Sequence, residues 1–333
     1  CLFAIRLLST PARIVLLLGT IAASFGFHTV KSGVGSILEG GLRFFEGPGG
    51  AFIDNNAYAV GCVMILPFFV AFAQNAPQRW MAWPAWLAVP FTIVTVISTF
   101  SRGGLLSLVA ATLTFIFLQK RRSYLLIGAV AMLPLVPYLP LPAGYTERIS
   151  TIGNYEEVGE GSALGRLHFW QVALDMAADR PLGVGLWNFE SVYDRYDFSG
   201  GVYGSQRAVH NSHLQVLTET GWLGAVWWVG LLTLSMYLTF RAKRRTVQMK
   251  PDDAWFTRTV ANALITSMSG FLVGGTFVSM AYNDLTWLTF AMVAGFDRVS
   301  RRLVVEKPAP AAELGAVRPP VPAFVPRMAA RSR

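Results

Sequence analysis

The residues most able to do chemistry in this sequence are a histidine and a few arginines at the borders of apolar runs. The histidine lies in Val209-His-Asn-Ser-His-Leu-Gln-Val-Leu-Thr-Glu-Thr-Gly221. Ser212 and Gln215 have capping-box spacing, which predicts a helix beginning at Asn211 or Ser212. His210 then stands at the positive end of a helix dipole. That field disfavours imidazolium and keeps the ring neutral, the state a general base requires near pH 7, and it also attracts anions. Ordinary polar packing is the plainer reading of two interfacial histidines. A zinc reading of the His210-x-x-His213 pair lacks a Glu-x-x-His context and a nearby cysteine, and only His28 and His168 remain elsewhere. No metal and no cofactor is expected.

Arg102 sits in Phe100-Ser-Arg-Gly-Gly104 between two apolar runs. It reads either as an interfacial arginine that snorkels or as an anion clamp, with two glycines letting the backbone approach a phosphate. Arg166 falls in the first turn of an expected helix, where a cation opposes the dipole and an anionic partner compensates it. A solvated pair with Glu160 is the alternative. Arg180, fourteen residues on, returns to nearly the same helix face and is a weaker candidate for the same anion. The external acids Glu39, Glu46, Asp54, Asp194 and Asp197 could hold a divalent ion, although their spacing requires none. Gly183-Val-Gly185 has no preceding strand, so a nucleotide site is discarded.

These residues must be positioned by membrane helices. Of 333 residues, 53% are hydrophobic and 14% charged, against about a quarter charged in soluble domains, and mean hydropathy is +0.45. Eight apolar runs are long enough to be candidate spans: approximately 14–30, 57–74, 82–100, 104–118, 123–141, 213–240, 258–280 and 284–297. Proline inside several of them predicts kinks. The formal charge of +9 does not indicate nucleic acid, because the basic residues sit at the ends of apolar runs. Lys120 to Arg122 and Arg241 to Arg245 mark the cytoplasmic side. An alternating path then places residues 31–56, the Ser101–Gly104 turn and residues 144–209 outside. The last loop holds nine acids and five arginines.

The expected architecture is therefore all-α: a polytopic transmembrane bundle of about eight spans with a large periplasmic loop. Spans 1 to 5 occupy 1–143, the loop 144–209 and spans 6 to 8 residues 210–303. A proline-rich cytoplasmic tail at 304–333 is expected to be disordered. Within the loop, Ala163, Leu167, Trp170, Leu174 and Ala177 recur at helical spacing and predict an amphipathic helix from about 162 to 179. Ten aromatics between Tyr145 and Tyr203 either stack on sugar rings or form the loop's own core. The chain begins at Cys1 and reads as a fragment lacking earlier spans.

Taken together, the Ser-Arg-Gly turn, the Arg/Trp helix, Pro181 to Phe189, and the element formed by His210, Asn211, Leu214, Glu219 and Gly221 resemble the bacterial O-antigen ligase and polymerase superfamily. Gly47 to Asn56 further resembles the O-glycosylation ligases associated with exosortase systems. The resemblance implies a glycosyltransferase of the bacterial inner membrane, working at its periplasmic face without metal. It would move a glycan from undecaprenyl diphosphate to a hydroxyl of lipid A core, protein or another glycan. Arg102 and Arg166 would stabilise the diphosphate, and His210 would deprotonate the acceptor with inversion at the anomeric carbon. Arg180, Arg207, Asn211 and Glu219 would contact substrate. A polymerase joining lipid-linked repeats is the near alternative. A transporter or flippase of the same saccharide is the distant one, and it predicts ionisable groups deep in the spans and internal repeats, neither of which is found.

Overall fold

The computed structural model describes residues 2–40, 44–120, 122–124 and 161–304. After the short α1 (Leu2–Leu7), α2 (Pro11–Leu38) leads to a two-stranded antiparallel hairpin, β1 (Glu46–Gly49) and β2 (Phe52–Asp54). Three helices follow: α3 (Asn55–Asn75), α4 (Arg79–Ser98) and α5 (Arg102–Phe117). Then come α6 (Gly161–Asp179), the single-turn α7 (Phe189–Tyr193), α8 (Ser212–Arg244), α9 (Pro251–Gly274) and α10 (Asp284–Arg302). The molecule is mostly helical, as expected of an all-α membrane bundle. The predicted span at 123–141, the Pro-rich tail and Glu160 lie outside the described residues or at their margin.

Helix α3 is apolar on every side and accordingly buried on every side, with α2 and α4 against one flank and α5 and α9 against the other. Its proline, Pro67, and Pro84 and Pro90 of α4 are accommodated inside continuous helices. Polar side chains cross-link the bundle where no water can compete. Thr92 Oγ1 donates to Thr29 Oγ1 at 2.8 Å, and Ser36 and Ser98 share a 2.7 Å bond between α2 and α4. Ser107 Oγ donates to Gly270 O at 2.8 Å, joining α5 to α9.

Among the described residues, five helices are long and apolar enough to cross a membrane: α2, α3, α4, α8 and α9. At 16 residues, α5 is apolar but shorter, about 24 Å at 1.5 Å per residue. The expected span at 284–297 is a helix, yet it is not one of the five, because α10 is rich in charge. Asp297 ties it to the end of α8, accepting from Arg245 at 2.6 Å and from Arg301 at 2.7 Å.

The expected span at 213–240 is also not a single rod. Gly221 (φ +71°, ψ −173°) breaks α8 into a short buried arm, Ser212 to Thr220, and a long arm. The long arm exposes Trp222, Leu223, Val226, Trp227 and Val229, as a lipid-facing surface would, and ends in Arg241, Lys243 and Arg244.

Candidate functional site

The break in α8 exists because another segment occupies the groove it opens. Val184 N–H donates to Thr218 O at 2.9 Å, Gly185 N–H to Glu219 O at 3.0 Å, and Trp222 N–H to Pro181 O at 3.0 Å. The backbones approach so closely that a Cβ on Gly183 would stand 2.5 Å from Glu219 O, and one on Gly221 2.3 Å from Pro181 O. Both glycines also have positive φ. Glu219 completes the junction, its Oε2 accepting the Trp187 N–H at 2.9 Å. The Pro181–Phe189 and His210–Gly221 motifs are thus two halves of one joint, and its rigidity fixes the arm that carries His210.

Asn211 caps that arm: its Oδ1 accepts the backbone N–H groups of His213 (2.9 Å) and Leu214 (3.1 Å). The predicted capping box at Ser212 is corrected. Ser212 Oγ instead donates to Val278 O at 2.6 Å and accepts from Met280 N–H at 2.9 Å, anchoring the 278–280 segment. His213 is held inside the bundle, accepting from Trp228 Nε1 at 3.0 Å with its Nε2 3.3 Å from Leu272 O.

Above the membrane helices the loop builds its own core from Phe169, Val172, Ala173 and Met176 of α6 with Phe189, Tyr193 and Val209. The predicted apolar stripe of α6 is corrected: Leu167 is 60% and Leu174 46% exposed. Two sides of α6 are apolar, and the side facing the aromatics of α7 is the buried one. Among the described residues most of the loop aromatics serve this core, whereas Trp187 packs at a tilt against Tyr282, ring centres 5.3 Å apart.

Sequence reasoning missed a pair that braces the loop. His168 Nε2 lies 2.7 Å from Asp197 Oδ1, both side chains buried, with the His168 ring 4.9 Å from that of Tyr203. Asp197 also accepts from Ser199 N–H, Ser199 Oγ–H and Gly201 N–H. Burial alone would raise the Asp197 carboxyl; the bonds from Ser199, Gly201 and His168 outweigh it and hold it at about 2.

Against this core opens a cavity of about 460 Å³. Arg166, Phe169, Val202, Tyr203, Arg207 and His210 line it from the loop side, and Asn56 lines it from α3. Arg207 places its guanidinium carbon 5.6 Å from the centre of the Phe169 ring. His210 adopts φ +48°, a left-handed conformation costing about 1–2 kcal/mol for a residue with a Cβ. Its imidazole is pushed below the ordinary histidine value, first by burial, then by Arg166 and Arg207, with Asp54 opposing them. That direction favours the neutral ring, the state a general base requires. The expectation rested on a helix dipole; the structure adds burial and two guanidinium groups as causes. The cavity as a whole offers two cations to an anion and one neutral imidazole to a proton.

Other predicted site residues lie elsewhere. Arg102 is the first residue of α5, half-buried, and does not line the cavity. Its turn is tied to the neighbour of Asn56: Ser101 Oγ caps Gly104 N–H at 3.0 Å, and Thr99 O accepts from Asn55 Nδ2 at 3.0 Å. A Cβ on Gly103 would meet Phe277, whose ring lies 6.2 Å from that of Trp170, one turn beyond Arg166 on α6.

Arg180 does not return to Arg166: it is exposed beside Asp179 at 3.2 Å. Asn211 and Glu219 are occupied by the cap and the joint rather than by the cavity. Three of the five acids weighed for a divalent ion are also occupied. Asp54 caps α3, Asp194 accepts from Gln206 N–H at 2.9 Å, and Asp197 pairs with His168. A larger recess, about 870 Å³ between α2, α3 and α4, is lined by apolar side chains with Thr20 and Asn75, and holds no titratable group.

Comparison with curated proteins found no match. Residues 87–229, from within α4 to within the long arm of α8, match the family model described as O-Antigen ligase. The matched stretch contains the Arg102 turn, α6, the glycine joint and every cavity residue except Asn56, so the part of the chain that builds the cavity is similar to the O-Antigen ligase family and supports that superfamily.

Proposed function

We propose that this protein is a ligase that transfers a glycan from undecaprenyl diphosphate to an acceptor hydroxyl at the periplasmic face of the bacterial inner membrane. The observation that carries this reading is the convergence of Arg166, Arg207 and His210 on one cavity. In a single displacement the acceptor oxygen forms a bond to the anomeric carbon as that carbon's bond to diphosphate breaks. The acceptor's proton passes to His210, and the diphosphate leaves on its lipid. Arg166 and Arg207 stabilise the charge that grows on the leaving oxygen, through hydrogen bonds that strengthen as the bond breaks. Arg102, whose turn is bonded to the neighbour of Asn56, serves the diphosphate from the membrane side. Attack opposite the leaving group inverts the anomeric centre, and no metal takes part.

Deletion of the gene tests this reading. The expected result is that lipopolysaccharide, a secreted polymer or a glycoprotein loses its glycan while carrier-linked material accumulates. Unchanged glycans, with no carrier-linked material building up, would contradict it.

A further inference from the structure

We infer that Asn56 binds the acceptor in the cavity, taking a hydrogen bond from a second acceptor hydroxyl while His210 deprotonates the first. The inference rests on the proposed glycan transfer. Of the polar groups around the cavity, Arg166 and Arg207 only donate hydrogen bonds, which suits them to phosphate oxygens and not to hydroxyl protons, and the Tyr203 phenol is a donor as well as an acceptor. His210 offers one acceptor nitrogen, and the attacking hydroxyl's single proton uses it. A sugar presents further hydroxyls beside the attacking one, and these need an acceptor.

The hydrogen-bond network fixes which atom of Asn56 supplies it. Asn55 Nδ2 donates to two carbonyls, Phe44 O at 3.2 Å and Thr99 O at 3.0 Å, so the orientation of its amide is determined. Asn55 Oδ1 must therefore be the acceptor of its bond with Asn56, which donates from Nδ2 at 3.1 Å. Among the described residues, Asn56 Oδ1 makes no hydrogen bond. It is an uncharged acceptor held by a fixed neighbour in a cavity otherwise rich in donors. The neighbouring Asp54, which caps α3, is one of the charges His210 senses, so this wall belongs on the base's side of the site. The Asn55 bond to Thr99 O further couples Asn56 to the turn that carries Arg102.

The test uses membranes carrying the full chain. The donor is carrier-linked glycan extracted from deletion cells, and the acceptor is the unglycosylated material purified from them. Asn56→Leu, close in volume but without an amide, should raise the acceptor KM about tenfold or more and leave the donor KM within twofold. Near-normal donor KM in the same sample also shows that the variant is folded. Asn56→Gln, which keeps an amide oxygen, should recover part of the loss. A donor KM that rises in parallel, a fall in kcat alone, or no change would overturn the assignment while leaving glycan transfer standing. Absence of transfer by the wild-type protein would remove both readings.

Discussion

Glu219 Oε2 accepts the backbone N–H of Trp187 at 2.9 Å, and through that bond the acid of one sequence motif holds the turn of another 32 residues away. In sequence Glu219 reads as a substrate contact, because it belongs to the motif that the family resemblance rests on. In the molecule it holds a joint. Glu219→Gln, which keeps an acceptor oxygen, should retain most stability and transfer. Glu219→Ala leaves the Trp187 N–H unpaired and should cost about 1–3 kcal/mol. Thermal unfolding of the detergent-solubilised protein separates the two.

Gly221 makes the same point through the backbone. Its φ of +71° and the 2.3 Å approach of a virtual Cβ to Pro181 O leave no room for a side chain. Gly221→Ala should destabilise by about 1–3 kcal/mol and lower membrane abundance. Unchanged abundance and melting temperature would show that the joint relaxes freely.

The His168–Asp197 pair reaches the cavity through the rings of Phe169 and Tyr203, not by lining it. It is a positioning device. Asp197→Asn should lower transfer about tenfold and speed proteolysis within residues 197–207, with the pH profile unmoved. Quantitative digestion beside an activity assay reads both effects.

The pH profile follows from the charges around His210. Because burial, Arg166 and Arg207 depress its pKa, the acid limb of kcat/KM should lie below the 6.5 of an unperturbed histidine. Arg207→Gln removes a depressing charge and should move the limb upward. Asp54→Asn removes the opposing charge, keeps the helix cap, and should move it further down. A limb that stays fixed in both variants would show that another group titrates.

Much of the fold was legible because hydropathy and length register directly in sequence. The candidate spans at 57–74 and 82–100 correspond to α3 and α4. The face of α6 was not legible, since Leu164, Leu167 and Leu174 on one side and Phe169, Val172 and Met176 on the other have equal helical spacing. Only contact with Phe189 and Tyr193 selects between them. Asn211 and Ser212 are equally good caps, and the bonds of Ser212 to Val278 and Met280 are long-range. Arg166 and His210 stood out as charged or titratable residues beside a helix start, whereas Arg207 came only with the family resemblance. Asn56 did not, because an asparagine after Asp54 reads as part of a cap.

The most direct measurement is glycan transfer by purified full-length His210→Ala protein, scored together with its affinity for the carrier-linked donor. Loss of transfer by about 10²–10⁴-fold, with donor affinity and folding retained, is the predicted result. Transfer near the wild-type rate from a folded His210→Ala protein would contradict the account.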